Sequence, residues 1–334
     1  MQSLLKFTSK GIYCPEGKFY IDPWRPVKKA LITHAHADHS RPGHQHYLAH
    51  HHSETIMRQR LGSDINIETV NYNKSIYMNG VMVSFHPAGH IPGSAQIRIE
   101  FKGQIAVVSG DYKLEDDGLS APFEPVKCHE FVTETTFGLP IYQWKPQIET
   151  FNEINQWWKQ NQENGKTSVI FAYALGKAQR IMKNVDSTIG KIFTHGAVEN
   201  ATEALRKTGL DLPHTVKITN DISKKDFQRN LVIATPASIG TPWMKKLAPY
   251  STGIASGWMM LRGTRRRKAA DRGFVLSDHA DWNGLLEAVK LSEAETVYST
   301  HGYSNVFTKY LQEQGLNAIS LDSQFEGESL DSEL

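Results

Sequence analysis

The stretch HAHADH at residues 34–39 places three imidazoles and one carboxylate within six consecutive positions. Its two alanines are small, so the four polar side chains can project from one tight loop without steric conflict. We predict that His34 and His36 bind one ion, and that Asp38 and His39 bind a second ion beside it. Mixed imidazole and carboxylate ligands suit zinc or manganese, whereas an all-thiolate set indicates structural zinc.

A site for two ions needs further ligands, and two later segments supply candidates. His90 stands in the Gly/Pro-rich loop 87–94, after a strand-like run. Asp111 follows the buried strand-like run 105–110. A carboxylate can bridge two ions with its two oxygens, whereas a neutral imidazole cannot. Asp111 is therefore the natural bridge.

Several strand-like runs of this chain end on a polar, metal-capable or acid–base residue. In layered α/β proteins ligands gather at strand ends, where loops leave the scaffold. One such ending is unremarkable, but six of them indicate a common site. The six endings are at Asp22, His34, Asp111, Glu134, Asp278 with His279, and His301.

Short strand-like runs dominate the first 140 residues. Ile97, Ile99 and Phe101 alternate with polar residues, which is the period of a half-buried strand. Short, continuously apolar runs such as 105–108 suit strands that are buried on both faces. This part of the chain therefore predicts a layered α/β protein.

From about residue 146 the pattern changes to alternating helices and strands. An amphipathic helix is predicted over 147–162 from apolar residues at helical spacing, namely Ile148, Phe151, Ile154 and Trp158. The alternation implies a small parallel sheet with crossover helices. Short strands return after about residue 256, as at 273–276. We predict a domain at 146–255 inserted into a larger one, formed by residues 1–145 and 256–334.

The composition is that of a soluble globular enzyme. The length of 334 residues is ample for a large core. The chain is 40% hydrophobic and 22% charged, as globular enzymes are. The apolar runs are too short to span a bilayer, and the first residues lack an apolar stretch of signal-peptide length. We therefore expect a cytoplasmic location without membrane contact, with Cys14 and Cys128 as free thiols.

Two further clusters of polar side chains each allow two interpretations. The histidines at 50–52 lack a carboxylate and a strand context, so we interpret them as surface or packing residues rather than ligands. A basic segment precedes His279 and is either a solvated surface loop or a contact for the phosphates of nucleic acid. Its candidate contacts are Arg262, Arg265, Arg266, Arg267 and Lys268.

The motifs resemble those of the metallo-β-lactamase superfamily. Asp22 matches its first motif, the HAHADH stretch its second, His90 its third and Asp111 its fourth. Three later residues resemble motifs A, B and C of the β-CASP branch, namely Glu134, His279 and His301. The segment 171–180 resembles the strand-to-helix junction that opens the cap of that branch. The resemblance implies an α/β fold, an αββα sandwich with an inserted β-CASP cap containing a small parallel sheet.

Within that branch the chain looks most like the bacterial ligase-associated DNA exonucleases, and it is also similar to RNA 3′-end-processing factors, RNase J and Artemis-type nucleases. The resemblance implies a DNA exonuclease that works from 5′ to 3′ on single strands in DNA repair. Two divalent ions, zinc or manganese, and a DNA ligase and helicase system are the implied cofactors and partners. The alternatives are a ribonuclease of RNA processing, a small-molecule hydrolase of the same fold, and an inactive nucleic-acid-binding scaffold.

The resemblance also implies a role for each site residue. The ligands are His34, His36, His90 and Asp111 for one ion, and Asp38, His39, Asp111 and His301 for the other. Asp22 is expected to accept the second N–H of a ligand histidine. His279 is the expected general acid for the leaving oxygen, and Glu134 orients it and keeps it protonated. These two residues form the catalytic set with Asp38 and Asp111. The alternative role for His279 is that of a further ligand.

Overall fold

The computed structural model describes residues 3–261, 263 and 270–321, which form two compact units. The first unit takes in the chain up to Gln143 and again from His279 onward, and the second comprises Trp144–Asp278. The second unit is thus an insertion in the sequence of the first. Within the described residues, none of the helices combines the length and apolar character that crossing a membrane requires.

The first sheet of the first unit contains six strands in the order in which they occur along the chain. They are β1 (Lys6–Thr8), β2 (Gly11–Cys14), β3 (Phe19–Ile21), β4 (Ala30–Leu31), β5 (Tyr47–His50) and β6 (Ile67–Val70). β1, β2 and β3 pair antiparallel, whereas β3 to β6 pair parallel. Helix α1 (His51–Leu61) packs against β5 and β6 and buries Ile56 and Met57.

The second sheet of this unit contains five strands from before the insertion and two from after it. They are β7 (Ile76–Met78), β8 (Val81–Pro87), β9 (Ala95–Phe101), β10 (Gln104–Val108), β11 (Glu130–Thr135), β18 (Thr296–Gly302) and β19 (Asn317–Ser320). β7 to β10 pair antiparallel in sequence order, whereas β10, β11, β18 and β19 pair parallel in that order. In the parallel half of each sheet, the carboxyl ends of neighbouring strands lie at the same edge.

The two sheets pack face to face through one apolar core. Phe19 and Ile21 of the first sheet belong to the same buried cluster as Phe85 and Ile97 of the second. A second cluster lies on the other face of the second sheet, where the helices α6 (Trp282–Ser292) and α7 (Ser304–Glu313) cover it. With α1 on the first sheet, this layering confirms the predicted αββα sandwich.

Burial along the strands explains the sequence patterns. In β10, Val108 belongs to the core between the sheets and Val107 to the core under the helices, so this continuously apolar run is buried on both faces. In β9, Ile97 and Ile99 are fully buried while Arg98 is partly exposed. The alternating run is therefore a half-buried strand, as predicted.

The second unit is built on a six-stranded sheet in which all neighbours are parallel, in the order β14-β13-β15-β12-β16-β17. The strands are β12 (Thr167–Phe171), β13 (Ile192–Thr194), β14 (Val216–Lys217), β15 (Leu231–Ala234), β16 (Tyr250–Ala255) and β17 (Arg272–Phe274). Helix α2 (Gln147–Glu163) precedes β12, and the helices between later strands are α3 (Lys177–Asn184), α4 (Gly196–Arg206) and α5 (Lys224–Phe227). The predicted small parallel sheet with crossover helices is confirmed.

One apolar residue of the predicted amphipathic helix does not face the core. Phe151, Ile154 and Trp158 are buried in α2, but Ile148 is 59% exposed in its first turn. Thr150 is buried instead, and its hydroxyl donates to the carbonyl of Val275. The helical spacing was therefore correct for three of the four apolar positions.

The predicted return to the larger domain at residue 256 differs from the observed packing. β17 pairs in parallel with β16, and Phe274 is fully buried in the core of the second unit. Gly253 makes room for it, because a Cβ there would lie 2.7 Å from the Phe274 ring. The second unit therefore extends to Asp278. The sheet to which a short strand belongs is decided by the strand it pairs with, and the sequence pattern of the short strand does not show that partner.

Candidate metal centre

The polar residues that were predicted to share a site lie at the carboxyl ends of parallel strands. Asp22 directly follows β3, and the loop 34–39 follows β4 in the first sheet. In the second sheet Asp111 follows β10, while Glu134 and His301 lie near the ends of β11 and β18. Because parallel neighbours end at the same edge of a sheet, these side chains gather there.

The first cluster of candidate ligands consists of His34, His36, His90 and Asp111. Each offers one ligand atom, and these atoms lie within 4.8 Å of one another. His90 Nε2 lies 3.1 Å from His36 Nδ1, and His34 Nε2 lies 3.5 Å from Asp111 Oδ2. Ligand atoms at about 2.0–2.1 Å from a tetrahedral ion are about 3.3 Å apart, so this spacing fits a metal.

The second cluster consists of His39, His301 and, again, Asp111. His301 Nε2 lies 3.0 Å from Asp111 Oδ1, and His39 Nε2 lies 3.5 Å from Asp111 Oδ2. Asp38 stands beside them, with its Oδ2 3.5 Å from His39 Nε2. Asp111 is common to both clusters and is 2% exposed, which is the position that a bridging carboxylate requires.

The hydrogen bonding and charge of the site fit a cation. Among the described residues, His34 Nε2 is buried without a hydrogen-bond partner, so its lone pair is available to a metal. Burial lowers the pKa of His34 well below its usual value, which keeps the imidazole neutral. Burial opposes ionisation of Asp111, but the nearby His39 and His279 hold the pKa of that carboxyl well below its usual value. Neutral imidazole and ionised carboxylate are the forms that bind metals.

The carboxylates around His39 create a strongly negative electrostatic potential at its ring. Burial by itself lowers the pKa of His39, yet the Asp111 and Asp38 carboxylates raise it to about 10. A location that favours positive charge this strongly also favours a divalent ion, which competes with the proton for the same imidazole. The two clusters are therefore consistent with a binuclear metal site of the metallo-β-lactamase type.

Asp22 lies behind His39 rather than among the ligand atoms. Its Oδ2 is 2.8 Å from His39 Nδ1, which leaves His39 Nε2 directed at Asp111. Its Oδ1 accepts a hydrogen bond from the backbone N–H of Thr33, 2.8 Å away. Asp22 therefore links the orientation of one candidate ligand to the start of the HAHADH loop.

We expect Asp22→Asn to weaken metal binding at the site that contains His39. The amide is a weaker acceptor for the His39 N–H, and loss of such a supporting partner costs about 10–100-fold in metal affinity. Titration of the metal-free protein with zinc measures the effect. The exposed Asp64→Asn variant is the control, and equal affinities for the two variants would contradict the role of Asp22.

Glu134 and His279 form a buried pair next to the metal clusters. His279 Nδ1 lies 2.9 Å and 3.0 Å from the two Glu134 oxygens, and both side chains are about 1% exposed. The backbone N–H of Tyr112 donates to Glu134 Oε1 at 2.8 Å. Asp111, Glu134 and His279 also form a group that could hold an ion. Both predicted roles of His279, as an acid or as a ligand, are compatible with this geometry.

Several residues that shape the site were not identified from the sequence. Ser94 accepts from the backbone N–H of His90 at 3.1 Å and so holds the His90 loop. Gly110, with φ 58°, allows Asp111 to approach the first sheet, because a Cβ there would lie 2.5 Å from Thr33 Oγ1. Gly302, with φ 75°, directly follows His301 and allows a close approach to the backbone of Thr135, because a Cβ there would lie 2.3 Å from the Thr135 carbonyl oxygen. A glycine directly beside a candidate ligand was the available signal.

Two other predicted groups have different outcomes. The basic residues Arg262, Arg265, Arg266, Arg267 and Lys268 lie outside the described residues. The histidines at 50–52 are described, and His50 is only 1% exposed, so it is not a surface residue. His50 packs against Tyr72, with ring centroids 3.7 Å apart. The packing interpretation thus accounts for part of this group.

Comparison with known proteins places the chain among related sequences, although no family model matches it. It is 28% identical over 322 residues to the "Probable DNA ligase" of Opitutus terrae. The matched region covers 95% of this chain and 31% of that protein. Over 122 residues, 36% of this chain, it is 31% identical to the endoribonuclease YSH1 of Saccharomyces cerevisiae and 30% identical to the cleavage and polyadenylation specificity factor subunit 3 of Dictyostelium discoideum. The chain spans 15% and 16% of these two proteins.

A solved structure shares the fold. The crystal structure of a protein of unknown function from Enterococcus faecalis V583 superposes with a TM-score of 0.61 at 13% sequence identity, and the match covers 89% of this chain and 80% of that one. The αββα sandwich, the parallel sheet of the inserted unit, the histidine–aspartate clusters and these relatives agree with the motifs. In its motifs, its layers and its candidate metal clusters the chain therefore resembles the β-CASP branch of the metallo-β-lactamase superfamily, and in sequence it is similar to YSH1 and to the cleavage and polyadenylation specificity factor subunit 3.

Proposed function

We propose that this protein is a metal-dependent phosphodiester hydrolase that cuts nucleic acid. The observation that carries the proposal is the position of Asp111, whose carboxylate belongs to both histidine clusters, with Glu134 and His279 beside it. In the proposed ligand sets, His34, His36, His90 and Asp111 hold one ion. Asp38, His39, Asp111 and His301 hold the other.

The ligand chemistry favours zinc or manganese, because imidazole and carboxylate are combined and the thiols are excluded. Cys14 and Cys128 are both buried free thiols, and neither belongs to a candidate metal group of the described residues. Two such ions, when bound, lower the pKa of a water molecule and stabilise the charge that develops on a phosphate. The remaining requirement is a proton for the leaving oxygen.

His279 is the proposed general acid for this proton. Glu134 faces His279 Nδ1 with both oxygens, so it accepts the Nδ1 hydrogen and leaves the Nε2 hydrogen for transfer. The buried Glu134 carboxylate also stabilises the imidazolium form before the transfer. When the bond between phosphorus and the leaving oxygen breaks, Nε2 gives up its proton to that oxygen.

We propose DNA as the substrate, with 5′ to 3′ digestion of single strands in repair and a DNA ligase and helicase as partners in the cytoplasm. The support is the similarity to a protein named as a DNA ligase over 95% of this chain. The alternative substrate is RNA, since YSH1 is named an endoribonuclease. Under either alternative, the basic segment 262–268 is the proposed contact to the phosphate backbone, which makes affinity fall with salt.

Incubation with end-labelled single-stranded DNA and RNA of matched sequence tests the proposal. We expect cleavage of DNA with added zinc or manganese, none with a chelator, and products that shorten from the 5′ end. Preferential cleavage of RNA would instead support the ribonuclease. Cleavage of neither polymer by a protein that contains its metals would contradict the proposed function.

A further inference from the structure

A threonine directly precedes two of the candidate metal ligands, at Thr33–His34 and at Thr300–His301. Both dipeptides are buried in the first unit. In each of them the threonine Oγ1 lies close to Nδ1 of the next imidazole, at 3.1 Å and 3.2 Å respectively. We propose that Thr33 and Thr300 are positioning residues, whose hydroxyls accept the Nδ1 hydrogen of the next imidazole and so present its Nε2 lone pair to a metal. The inference rests on the proposed function, which makes both histidines ligands.

The only hydrogen of the Thr33 hydroxyl is used in another hydrogen bond. Thr33 Oγ1 donates it to Asp22 Oδ2 at 2.5 Å. In the contact with His34, Nδ1–H is therefore the donor and Oγ1 is the acceptor. A neutral imidazole carries one ring hydrogen, so Nε2 of His34 keeps its lone pair. That atom is buried without a hydrogen-bond partner among the described residues, and it lies 3.5 Å from Asp111 Oδ2.

The Thr300 hydroxyl is arranged in the same way. Its Oγ1 donates to the Thr133 carbonyl at 3.0 Å, and a carbonyl oxygen can only accept. His301 Nδ1–H is therefore the donor to Thr300 Oγ1, which leaves Nε2 facing Asp111 Oδ1 at 3.0 Å. Because His34 and His301 are assigned to different ions, the same arrangement occurs once at each ion of the proposed pair at Asp111.

The hydroxyls matter for binding because a metal at Nε2 requires the ring hydrogen to be on Nδ1. That N–H needs an acceptor, since a buried donor without one is unfavourable. The acceptor also fixes the orientation of the ring, and such partners contribute about 10–100-fold to metal affinity. We therefore expect loss of either hydroxyl to weaken the binding of one ion.

The backbone beside each threonine is held by other contacts. The Thr33 N–H donates to Asp22 Oδ1 at 2.8 Å, and Thr135 Oγ1 donates to the Thr300 carbonyl at 2.7 Å. Neither contact uses the hydroxyl of Thr33 or Thr300. Replacement of these threonines by valine therefore removes the acceptor at Nδ1 and keeps a branched side chain of similar shape. Replacement by serine keeps the hydroxyl and removes only the methyl group.

Stepwise titration of the full-length, metal-free protein with zinc tests the proposal. We expect Thr33→Val and Thr300→Val to weaken different zinc-binding steps, each by about 10–100-fold, and to leave the other step nearly unchanged. Thr33→Ser and Thr300→Ser should bind zinc as the wild type does. The control is Thr308→Val in α7, which removes a buried hydroxyl that has no hydrogen-bond partner in the described part of the chain. It should leave both steps unchanged.

Hydrogen exchange gives a readout that a merely structural role would not move. In the zinc-loaded wild type, the Nδ1 hydrogens of His34 and His301 should exchange slowly with solvent, as measured by NMR with nitrogen-labelled histidine. Thr33→Val should speed the exchange at His34 alone, and Thr300→Val should speed it at His301 alone. Thermal melting establishes that the variants are folded.

Equal zinc affinities in the wild type and in the folded valine variants would overturn the proposal. Serine variants that bind zinc as weakly as the valine variants would also overturn it, because the methyl group would then be what matters. These measurements use zinc alone and no nucleic acid. Weakened zinc binding in the valine variants of a protein that cleaves neither DNA nor RNA would therefore contradict the proposed function and leave the role of the threonines supported.

Discussion

Asp111→Asn is expected to lose metal from both positions of the pair and to be almost inactive. An amide has one carbonyl oxygen and no negative charge, so it cannot bridge two cations as Asp111 does in the proposed site. The loss of turnover should exceed the about 10²–10³-fold that removal of one electrostatic stabiliser costs. Elemental analysis and initial cleavage rates measure the two effects.

Asp117→Asn is the matched control for this variant. Asp117 is a buried carboxylate of the same unit, and it accepts from the backbone N–H groups of Leu119 and Ser120 at 2.9 and 2.7 Å. Its replacement should lower the melting temperature without changing the metal content. Near-normal metal content and turnover in Asp111→Asn would show that the bridge is assigned to the wrong residue.

His279→Ala is expected to keep both ions and to lose turnover by about 10²–10⁴-fold, the usual contribution of a general acid. The hydrogen bonds from Tyr112 and Thr136 to Glu134 do not involve the imidazole, so the carboxylate keeps backbone partners in the variant. The defect should shrink on a nitrophenyl phosphodiester, because that leaving group departs without a proton. Rates on this substrate and on DNA, measured side by side, give the comparison.

His301→Ala is the counterpart of this variant, since His301 faces Asp111 Oδ1 and is a proposed ligand. It should lower the occupancy of one metal position, and excess metal should restore part of the activity. The reverse result, with metal lost from His279→Ala and retained in His301→Ala, would exchange the two roles. The group formed by Asp111, Glu134 and His279 would then be a metal position.

Local patterns in the sequence were sufficient to locate several elements. The apolar run 105–108 lies within the strand β10 (Gln104–Val108), and the helix predicted over 147–162 is observed over Gln147–Glu163. The reason is that the side-chain periods of helices and strands are properties of a short segment, visible without its partners. Ile148 departs from the pattern, because in the first turn of α2 the buried position is taken by Thr150.

The residues of the candidate metal site were also predicted from short segments of sequence. The HAHADH stretch, His90 and Asp111 were predicted to meet because each follows a strand-like run, and the structure brings the ligand atoms of His34, His36, His90 and Asp111 within 4.8 Å of one another. Ordered motifs at strand ends were thus enough to indicate the resemblance to the β-CASP branch. They were not enough to name the contact that each residue makes.

Those contacts depend on residues that are distant in the chain. Glu134 and His279 are separated by 145 positions and meet at 2.9 Å, and Asp22 was expected behind some ligand but only the fold shows that this ligand is His39. Likewise β17 belongs to the sheet of the second unit through its pairing with β16. The burial of His50 follows from its stacking on Tyr72. In each case the local sequence specified what a side chain can do, whereas the partner that it met was set by the packing of segments far apart in the chain, which no short window of sequence contains.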